Sequence, residues 1–124
     1  MKVDYPIVFF YYRDLEAVIP FYRDVLQLKQ VRDQGWCKIL EISPGGACLG
    51  LVDETRGSQN ASDDKPVLLT LVVDDVDRWY QYLKEREVKV VKPPTLHEDI
   101  GVYCFFIEDP EGYQIEIQKF TDED

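Results

Sequence analysis

The chain has 124 residues, of which 45% are hydrophobic and 13% aromatic, and its formal charge is −10. This length suits one compact domain, with enough apolar material for a core. The acidic balance argues against nucleic acid and anionic membranes as partners, because both are bound through basic surfaces. The apolar runs are too short to span a bilayer and no signal-peptide pattern is present, so we expect a cytoplasmic protein.

Two segments of the chain share one arrangement of strand and helix signals. Residues 7–13 are rich in β-formers and end at Asp14, and a helical pattern follows. Residues 68–74 end at Asp75 in the same way, and a second helical pattern follows. Each Asp stands where a helix N-cap is expected. The two halves therefore resemble each other, as the halves of a duplicated unit do.

Each helical pattern gives way to strand-like runs. Pro20 lies inside the first helical pattern and predicts a kink or a disturbed turn. The predicted strands after the helices are 30–32, 36–42 and 47–52 in the first half, and 88–91, 102–107 and 113–119 in the second. Each half is thus predicted to be βαβββ. The fold class is α+β, with two such modules paired in one domain.

A polar segment separates the two modules. Residues 53–66 are rich in turn formers and contain no large apolar side chain after Val52. We interpret the segment as a mobile surface connection, with a lid over a site as the alternative. Module 1 is then about 1–53, the connecting loop about 54–66 and module 2 about 67–124, all in a single domain 1–124.

The three cysteines, Cys37, Cys48 and Cys104, are far apart and show no CxxC spacing. They fit buried thiols in a reducing compartment better than a disulfide framework or a zinc site. A nucleophilic role needs a setting that lowers the thiol pKa, and the sequence supplies none.

The segment 109–117 combines a tight turn with an unusual strand. Pro110 presets φ for a turn and Gly112 can take a positive φ. In the strand that follows, Ile115 and Ile117 point to one face. The opposite face is polar and carries Gln114, Glu116 and Gln118. Such a face lies on the surface or along a cavity.

The order and spacing of several segments make this chain resemble the vicinal oxygen chelate superfamily, the glyoxalase, bleomycin-resistance and extradiol-dioxygenase group. The matching pieces are Arg13–Glu16 leading to Phe21–Leu26, then Val73–Asp77, then Asp109–Gly112 with Glu116. The resemblance covers nearly the whole chain. It is more specific for the fold than for an activity, because one scaffold hosts many chemistries.

The resemblance implies four positions for ligands of a divalent metal. Glu116 matches the last of them, a Glu in the strand after the turn. The other three positions fall on Ile7, Leu68 and Gly50, whose side chains cannot coordinate a metal. One carboxylate does not make a metal site, so we expect no bound metal and no cofactor.

His97 is the only histidine and lies in a loop-like segment after a proline pair, residues 93–99. Together with Glu98 or Asp99 it would rescue a metal site, or it would act as a general base. The alternative is a solvated loop residue.

Parity along the strands indicates which residues line a cavity. The predicted ligand-binding residues are Phe9, Tyr11, Trp36, Thr70, Tyr103, Phe105, Gln114 and Glu116. Cys104 and Phe106 are the alternative to Tyr103 and Phe105. Glu116 either meets a ligand cation or hydroxyl, or acts as the catalytic base. The other interpretation is a relic of a metal-binding ancestor, satisfied by its neighbours.

We therefore predict a metal-free protein that binds a small organic molecule in an aromatic cavity, as the resemblance to the bleomycin-resistance branch implies. The acidic composition and Glu116 favour a cationic ligand. The alternatives are a metal-dependent glyoxalase-type lyase, epimerase or thiol transferase with displaced ligands, and a scaffold with a vestigial cavity. Exposed strand edges and the resemblance also predict a homodimer.

Overall fold

The computed structural model describes residues 1–122. The chain forms two compact units, Met1–Asp64 and a second unit that begins at Lys65. The boundary between them falls inside the connecting segment that the sequence predicted. Among the described residues, no helix has both the length and the apolar character needed to cross a membrane.

Unit 1 is a four-stranded sheet with one helical segment. Its strands are β1 (Ile7–Tyr12), β2 (Lys29–Asp33), β3 (Cys37–Glu41) and β4 (Cys48–Asp53), and its α-helix is α1 (Leu15–Pro20). The strand order is β1-β4-β3-β2, in which β1 runs parallel to β4 and the other pairs are antiparallel.

The helical segment of unit 1 begins and ends as its sequence dictates. Asp14 caps α1, because its carboxylate accepts a hydrogen bond from the Ala17 backbone N–H at 3.3 Å. Pro20 has no N–H to donate, and the chain continues from it as a π-helix over Phe21–Val25. The disturbed turn predicted at Pro20 is therefore confirmed.

The core of unit 1 lies between its sheet and α1. Leu40 and Leu49 are fully buried there together with Tyr12. The hydroxyl of Tyr12 donates to that of Tyr22 across 3.2 Å, so both buried phenols have a polar partner.

Unit 2 repeats this architecture. Its strands are β5 (Leu68–Val72), β6 (Lys89–His97), β7 (Val102–Glu108) and β8 (Gln114–Phe120), and its helix is α2 (Val76–Glu85). The order is β5-β8-β7-β6, and only β5 and β8 are parallel. Asp75 caps α2 through a 3.0 Å hydrogen bond from the Arg78 N–H, as the sequence predicted.

The strand registers of the two units are equivalent. Ile7 pairs with Cys48 as Leu68 pairs with Gln114, and Phe9 pairs with Gly50 as Thr70 pairs with Glu116. The predicted α+β fold with two βαβββ modules is confirmed. Gly50 and Glu116 therefore occupy equivalent places in the two units.

Strand β6 is longer than predicted. The predicted strand ended at Val91, but β6 continues through Pro93 and Pro94 to His97. Prolines are tolerated because β6 is an edge strand, and the register shifts between Lys92 and Thr95, so neither proline needs to donate to the ladder. The prediction that His97 is a loop residue is therefore wrong.

Candidate functional site

In each unit the sheet has one face packed on its helix and another that we call the helix-free face. In unit 2 the paired residues Thr70 and Glu116 lie on the helix-free face, together with Phe106, which pairs with Glu116 from β7. Ile115 and Ile117 lie on the opposite side and are fully buried. The alternation of β8 between apolar and polar faces follows the prediction.

A carboxylate that is only 9% exposed lies at the centre of the unit 2 helix-free face, on Glu116. Thr70 Oγ1 donates to Glu116 Oε1 over 2.8 Å, and Gln118 Nε2 reaches the same oxygen at 3.4 Å. Among residues 1–122, no Lys, Arg or His forms an ion pair with this carboxylate. Its charge is therefore met by neutral donors, an arrangement that leaves it available to an external cation.

The Cys104 thiol is a third neutral donor to Glu116. Burial raises the pKa of this thiol to about 11, and its hydrogen bond to Glu116 and the charge of that carboxylate add to the rise. The Lys92 ammonium acts on the pKa in the opposite direction. Cys104 is therefore protonated near neutral pH, and it is not an activated nucleophile.

One polar atom beside Glu116 has no partner. The side-chain oxygen Oε1 of Gln118 is buried and accepts no hydrogen bond from any described residue. A buried acceptor left unsatisfied costs about 1–3 kcal/mol relative to a paired one. A donor group that reaches the Glu116–Gln118 pair would remove this cost.

A rigid turn sets the position of β8. The Asp109 carboxylate accepts hydrogen bonds from the backbone N–H groups of Glu111 at 2.9 Å and Tyr113 at 3.0 Å. Gly112 has a φ of 97°, a conformation that glycine adopts without strain. The turn that the sequence predicted therefore anchors the strand that carries Glu116.

In unit 1 the equivalent position is closed by a ring. Phe9 lies over Gly50, since a Cβ atom added to Gly50 would be 2.3 Å from Phe9 Cδ1. Phe9 and Tyr11, two of the predicted ligand-binding residues, occupy the helix-free face of unit 1. Phe9 remains 41% exposed, so its ring is reachable from solvent.

The connecting segment contacts unit 1. The Tyr11 hydroxyl and Ser58 Oγ are 3.3 Å apart, and Arg13 forms a 2.6 Å ion pair with Asp63. A Cβ on Gly57 would lie 2.6 Å from Val52 Cγ1, so the segment passes directly over this strand. The segment therefore packs against part of the helix-free face of unit 1, while most of its residues remain exposed.

Two predicted ligand-binding residues lie on the wrong face. Phe105 pairs with Ile117, is fully buried and makes an edge-to-face contact with Tyr80 of α2. Tyr103 donates a hydrogen bond to Asp77 of the same helix, which raises the pKa of its phenol. The prediction that this pair faces Glu116 is wrong, because the register of β7 turns the alternative pair toward it.

The alternative pair is Cys104 and Phe106, which share the face of Glu116. Gln114 lies on this face too, at an exposed position of β8.

Trp36, another predicted ligand-binding residue, belongs to unit 1 and lies in the turn between β2 and β3. Its backbone carbonyl accepts a hydrogen bond from the Asp53 N–H at 2.9 Å. Lys92 was not among the predicted site residues, because only a bulge in β6 turns it to the helix-free face of unit 2.

The residues present do not fit a divalent metal. Ile7, Leu68 and Gly50 stand at three of the ligand positions, and the register places Gly50 at the position equivalent to Glu116. Across residues 1–122 no group of three His, Cys, Asp or Glu side chains converges to hold a metal ion. His97, exposed at the end of β6, does not rescue such a site.

Solved structures share this fold. TioX from Micromonospora sp. ML1 superposes with a TM-score of 0.76 at 15% identity, covering 94% of this chain and 98% of its own. A glyoxalase/dioxygenase from Nostoc punctiforme gives 0.72 at 21% identity, over 96% and 90% of the two chains. A lactoylglutathione lyase from Agrobacterium tumefaciens gives 0.72 at 24% identity, over 95% and 92%. At these identities the likeness shows the fold alone.

The sequence itself identifies the family. No curated protein matches the chain. The family model of the Glyoxalase/Bleomycin resistance protein/Dioxygenase superfamily matches residues 5–117. This match runs from before β1 into β8 and includes the turn before β8. The chain therefore belongs to the Glyoxalase/Bleomycin resistance protein/Dioxygenase superfamily.

Proposed function

We propose that the protein binds a small organic molecule at Glu116 without a metal, and that the molecule carries a cationic or hydroxyl group. One observation supports this most: the buried Glu116 carboxylate is bonded to neutral donors and, within residues 1–122, forms no ion pair with a Lys, Arg or His. Thr70, Cys104 and Gln118 occupy up to three of its roughly four lone-pair sites. An ammonium or hydroxyl group of a ligand would take the remaining capacity.

The orphaned oxygen of Gln118 supports the same ligand chemistry. An ammonium group has three donors, and one of them can serve Gln118 Oε1 while another serves Glu116. A ligand that offers only acceptors would leave that oxygen unsatisfied and would be repelled by Glu116. The site thus favours donors over acceptors.

The surroundings of Glu116 favour an amphipathic ligand. Phe106 lies beside Glu116 on β7, and the outer strand β5 adds Leu68 and Val72, which are 48% and 59% exposed. Ligand sites in proteins commonly combine an apolar lining with a few polar groups that fix the orientation. An organic cation or alcohol with a ring or an aliphatic body would match this lining.

A metal-dependent lyase is the weaker candidate. Its metal would need several converging donors, and the equivalent positions carry Ile7, Leu68 and Gly50. The lactoylglutathione lyase that shares the fold is 24% identical, which does not carry its chemistry to this chain. We therefore place the function in binding, with no metal-assisted step.

Amide NMR titrations with three matched probes test the proposal: 2-phenylethylamine, 2-phenylethanol and 3-phenylpropionate, each in EDTA. The amine and the alcohol should shift the amide signals of Glu116, Gln118 and Phe106, whereas the carboxylate should leave them in place. If neither the amine nor the alcohol shifts these signals, or if shifts require added Zn²⁺ or Mn²⁺, the proposal is overturned.

The proposal includes a homodimer. β1 and β5 are outer strands of their sheets, and unpaired strand edges favour pairing with another chain. Light scattering at micromolar concentration should give twice the mass of the chain. A monomer mass would contradict this part of the proposal and leave the Glu116 site untouched.

A further inference from the structure

A cleft crosses the helix-free face of unit 1, at the end of the sheet away from Trp36. Its volume is about 240 Å³. This size is slightly below that of typical ligand sites and suits a metabolite. Both charged side chains on its wall, Arg32 and Glu41, stand next to an apolar floor. Its lining includes Ile7, Val31, Arg32, Ile39, Glu41 and Gly46.

A bulge in β2 turns Arg32 toward this cleft. Gln30 pairs with Leu40, which is fully buried on the helix side, so strict alternation would place Arg32 on the helix side too. The register shifts between Gln30 and Arg32, and Arg32 pairs instead with Ile39 on the cleft floor. β-Bulges re-aim side chains in this way and occur often beside functional sites.

Unit 2 has the same bulge, but there the charges have partners. Val90 pairs with the buried Ile107, and after the register shift Lys92 pairs with Phe106. The Lys92 ammonium lies 5.4 Å from the centroid of the Phe106 ring, a cation–π contact. Glu108 forms an ion pair with Lys89 at 3.0 Å.

The equivalent charges of unit 1 are unpartnered. Arg32 lies opposite Ile39, which offers no ring, and Glu41 pairs in the sheet with Lys29. Within residues 1–122 neither Arg32 nor Glu41 forms an ion pair or a side-chain hydrogen bond. A cation and a carboxylate without partners, on the wall of one apolar cleft, are groups that a ligand can satisfy.

We propose that this cleft is a second ligand site, and that it takes a small zwitterion with an apolar body. The ligand's carboxylate pairs with Arg32 and its ammonium with Glu41, while the apolar body contacts Ile7 and Ile39. A simple anion would be opposed by Glu41 and by the net charge of −10, and a simple cation by Arg32. A zwitterion satisfies both groups at once.

The test is an amide NMR titration with L-phenylalanine, compared with the two analogues that each lack one charge, 3-phenylpropionate and 2-phenylethylamine. L-Phenylalanine should shift the signals of Val31, Ile39 and Gly46 and bind there more tightly than either analogue. These signals are separate from those of Glu116, so failure here and failure of the Glu116 proposal are distinguishable.

Charge-removing variants make the test specific. Arg32→Gln should lower the affinity of the cleft for L-phenylalanine about tenfold or more, because it removes an attraction to carboxylate. It should raise the affinity for 2-phenylethylamine, because it removes a repulsion of ammonium. Glu41→Gln should also weaken the binding of L-phenylalanine, and it should strengthen that of 3-phenylpropionate, because it removes an attraction to ammonium and a repulsion of carboxylate. Arg78→Gln and Glu85→Gln, exposed on α2, are the matched controls and should change none of these affinities.

The proposal is overturned if L-phenylalanine does not shift the cleft signals. It is also overturned if the three probes bind there equally well, or if the control variants weaken binding as much as Arg32→Gln does. Since Arg32 is exposed, its variant should keep the amide spectrum of the folded protein.

Discussion

Phe9 lies opposite Gly50 in unit 1, and Thr70 lies opposite Glu116 in unit 2. The two pairs occupy equivalent places in equivalent registers, yet one is a ring over a glycine and the other a hydroxyl on a carboxylate. The same backbone thus carries an apolar closure in one unit and a buried charge in the other. Function in this fold depends on which side chains fill the shared positions, more than on the positions themselves.

The bulges give a second comparison. Arg32 and Lys92 are turned to the helix-free faces by the same irregularity, but only Lys92 has an aromatic ring beneath it. Over residues 1–122, neither the carboxylate at the centre of the unit 2 face nor the two charged groups of the unit 1 cleft form an ion pair. Exchanging side chains between equivalent positions therefore separates the roles of the two units.

The largest effect is expected from Gly50→Glu, which gives unit 1 the residue of unit 2. The change should destabilise the fold by at least about 3 kcal/mol, because it buries a charge without donors. The Cβ atom alone would lie 2.3 Å from Phe9 Cδ1. Urea unfolding measures the loss.

Adding Phe9→Thr to Gly50→Glu is the control, since it recreates the Thr–Glu pair of unit 2. The double variant should recover at least about 1.5 kcal/mol, the lower end of the usual contribution of a hydrogen bond to a charged group. A single variant that loses less than about 1 kcal/mol would show that the two positions are not equivalent in their surroundings.

Thr70→Val removes the shortest hydrogen bond to Glu116 while keeping the shape of the side chain. We expect a loss of about 1–3 kcal/mol, because a buried carboxylate is left with fewer donors. Thr95→Val is the matched control, since the exposed Thr95 hydroxyl only contacts the Pro93 carbonyl. Equal losses in the two variants would mean that the Thr70 hydroxyl does not serve Glu116.

Cys104 predicts how stability depends on alkaline pH. Its pKa is raised to about 11 in the folded protein from 9.0, so the folded state keeps a proton that the unfolded state loses in this window. Stability should therefore be fully present below about pH 9 and fall as the pH rises to 11. One such group contributes a slope of up to about 1.4 kcal/mol per pH unit.

Cys104→Ala should reduce this fall in the free energy of unfolding, which denaturation experiments from pH 8 to about 11 measure. Burial also raises the pKa of Cys37 in unit 1, so Cys37→Ala gives the matched comparison and should flatten it less. Identical profiles for the wild type and Cys104→Ala would mean that Cys104 does not keep its proton through contact with Glu116.

The smallest effect concerns the bulge cations. Lys92→Met should cost about 0.5–1 kcal/mol through the lost cation–π contact with Phe106. Arg32→Met should leave the stability nearly unchanged, because Arg32 has no ring beneath it. Thermal unfolding of both variants measures these two effects. Equal shifts in the melting temperature would contradict this distinction between the units.

The parts of the fold that depend on local chemistry were predictable from the sequence. Asp14 and Asp75 cap their helices through neighbouring backbone groups, and Asp109 with Gly112 closes the turn before β8. Each of these structures is determined within a few residues. The polar face of β8, with Glu116, follows from alternation within one strand.

The parts that depend on pairing between distant strands were not predictable. Tyr103 and Cys104 differ by one position, and only the register with β8 decides which of them faces Glu116. The bulges that redirect Arg32 and Lys92 arise from the pairing of two strands, and nothing in β2 or β6 alone reveals them. The unit 1 cleft was therefore invisible in the sequence, whereas Glu116 was not.

Glu116→Gln, measured by binding of 2-phenylethylamine and by thermal unfolding, tests the proposed function most directly. The change removes the charge and keeps the size, so the fold should be retained. The affinity at this site should fall about tenfold to a hundredfold, as the loss of a charge-assisted hydrogen bond of roughly 1.5–3 kcal/mol predicts. An unchanged affinity, with stability equal to or above that of the wild type, would contradict the proposal and identify Glu116 as a residue without a role in binding.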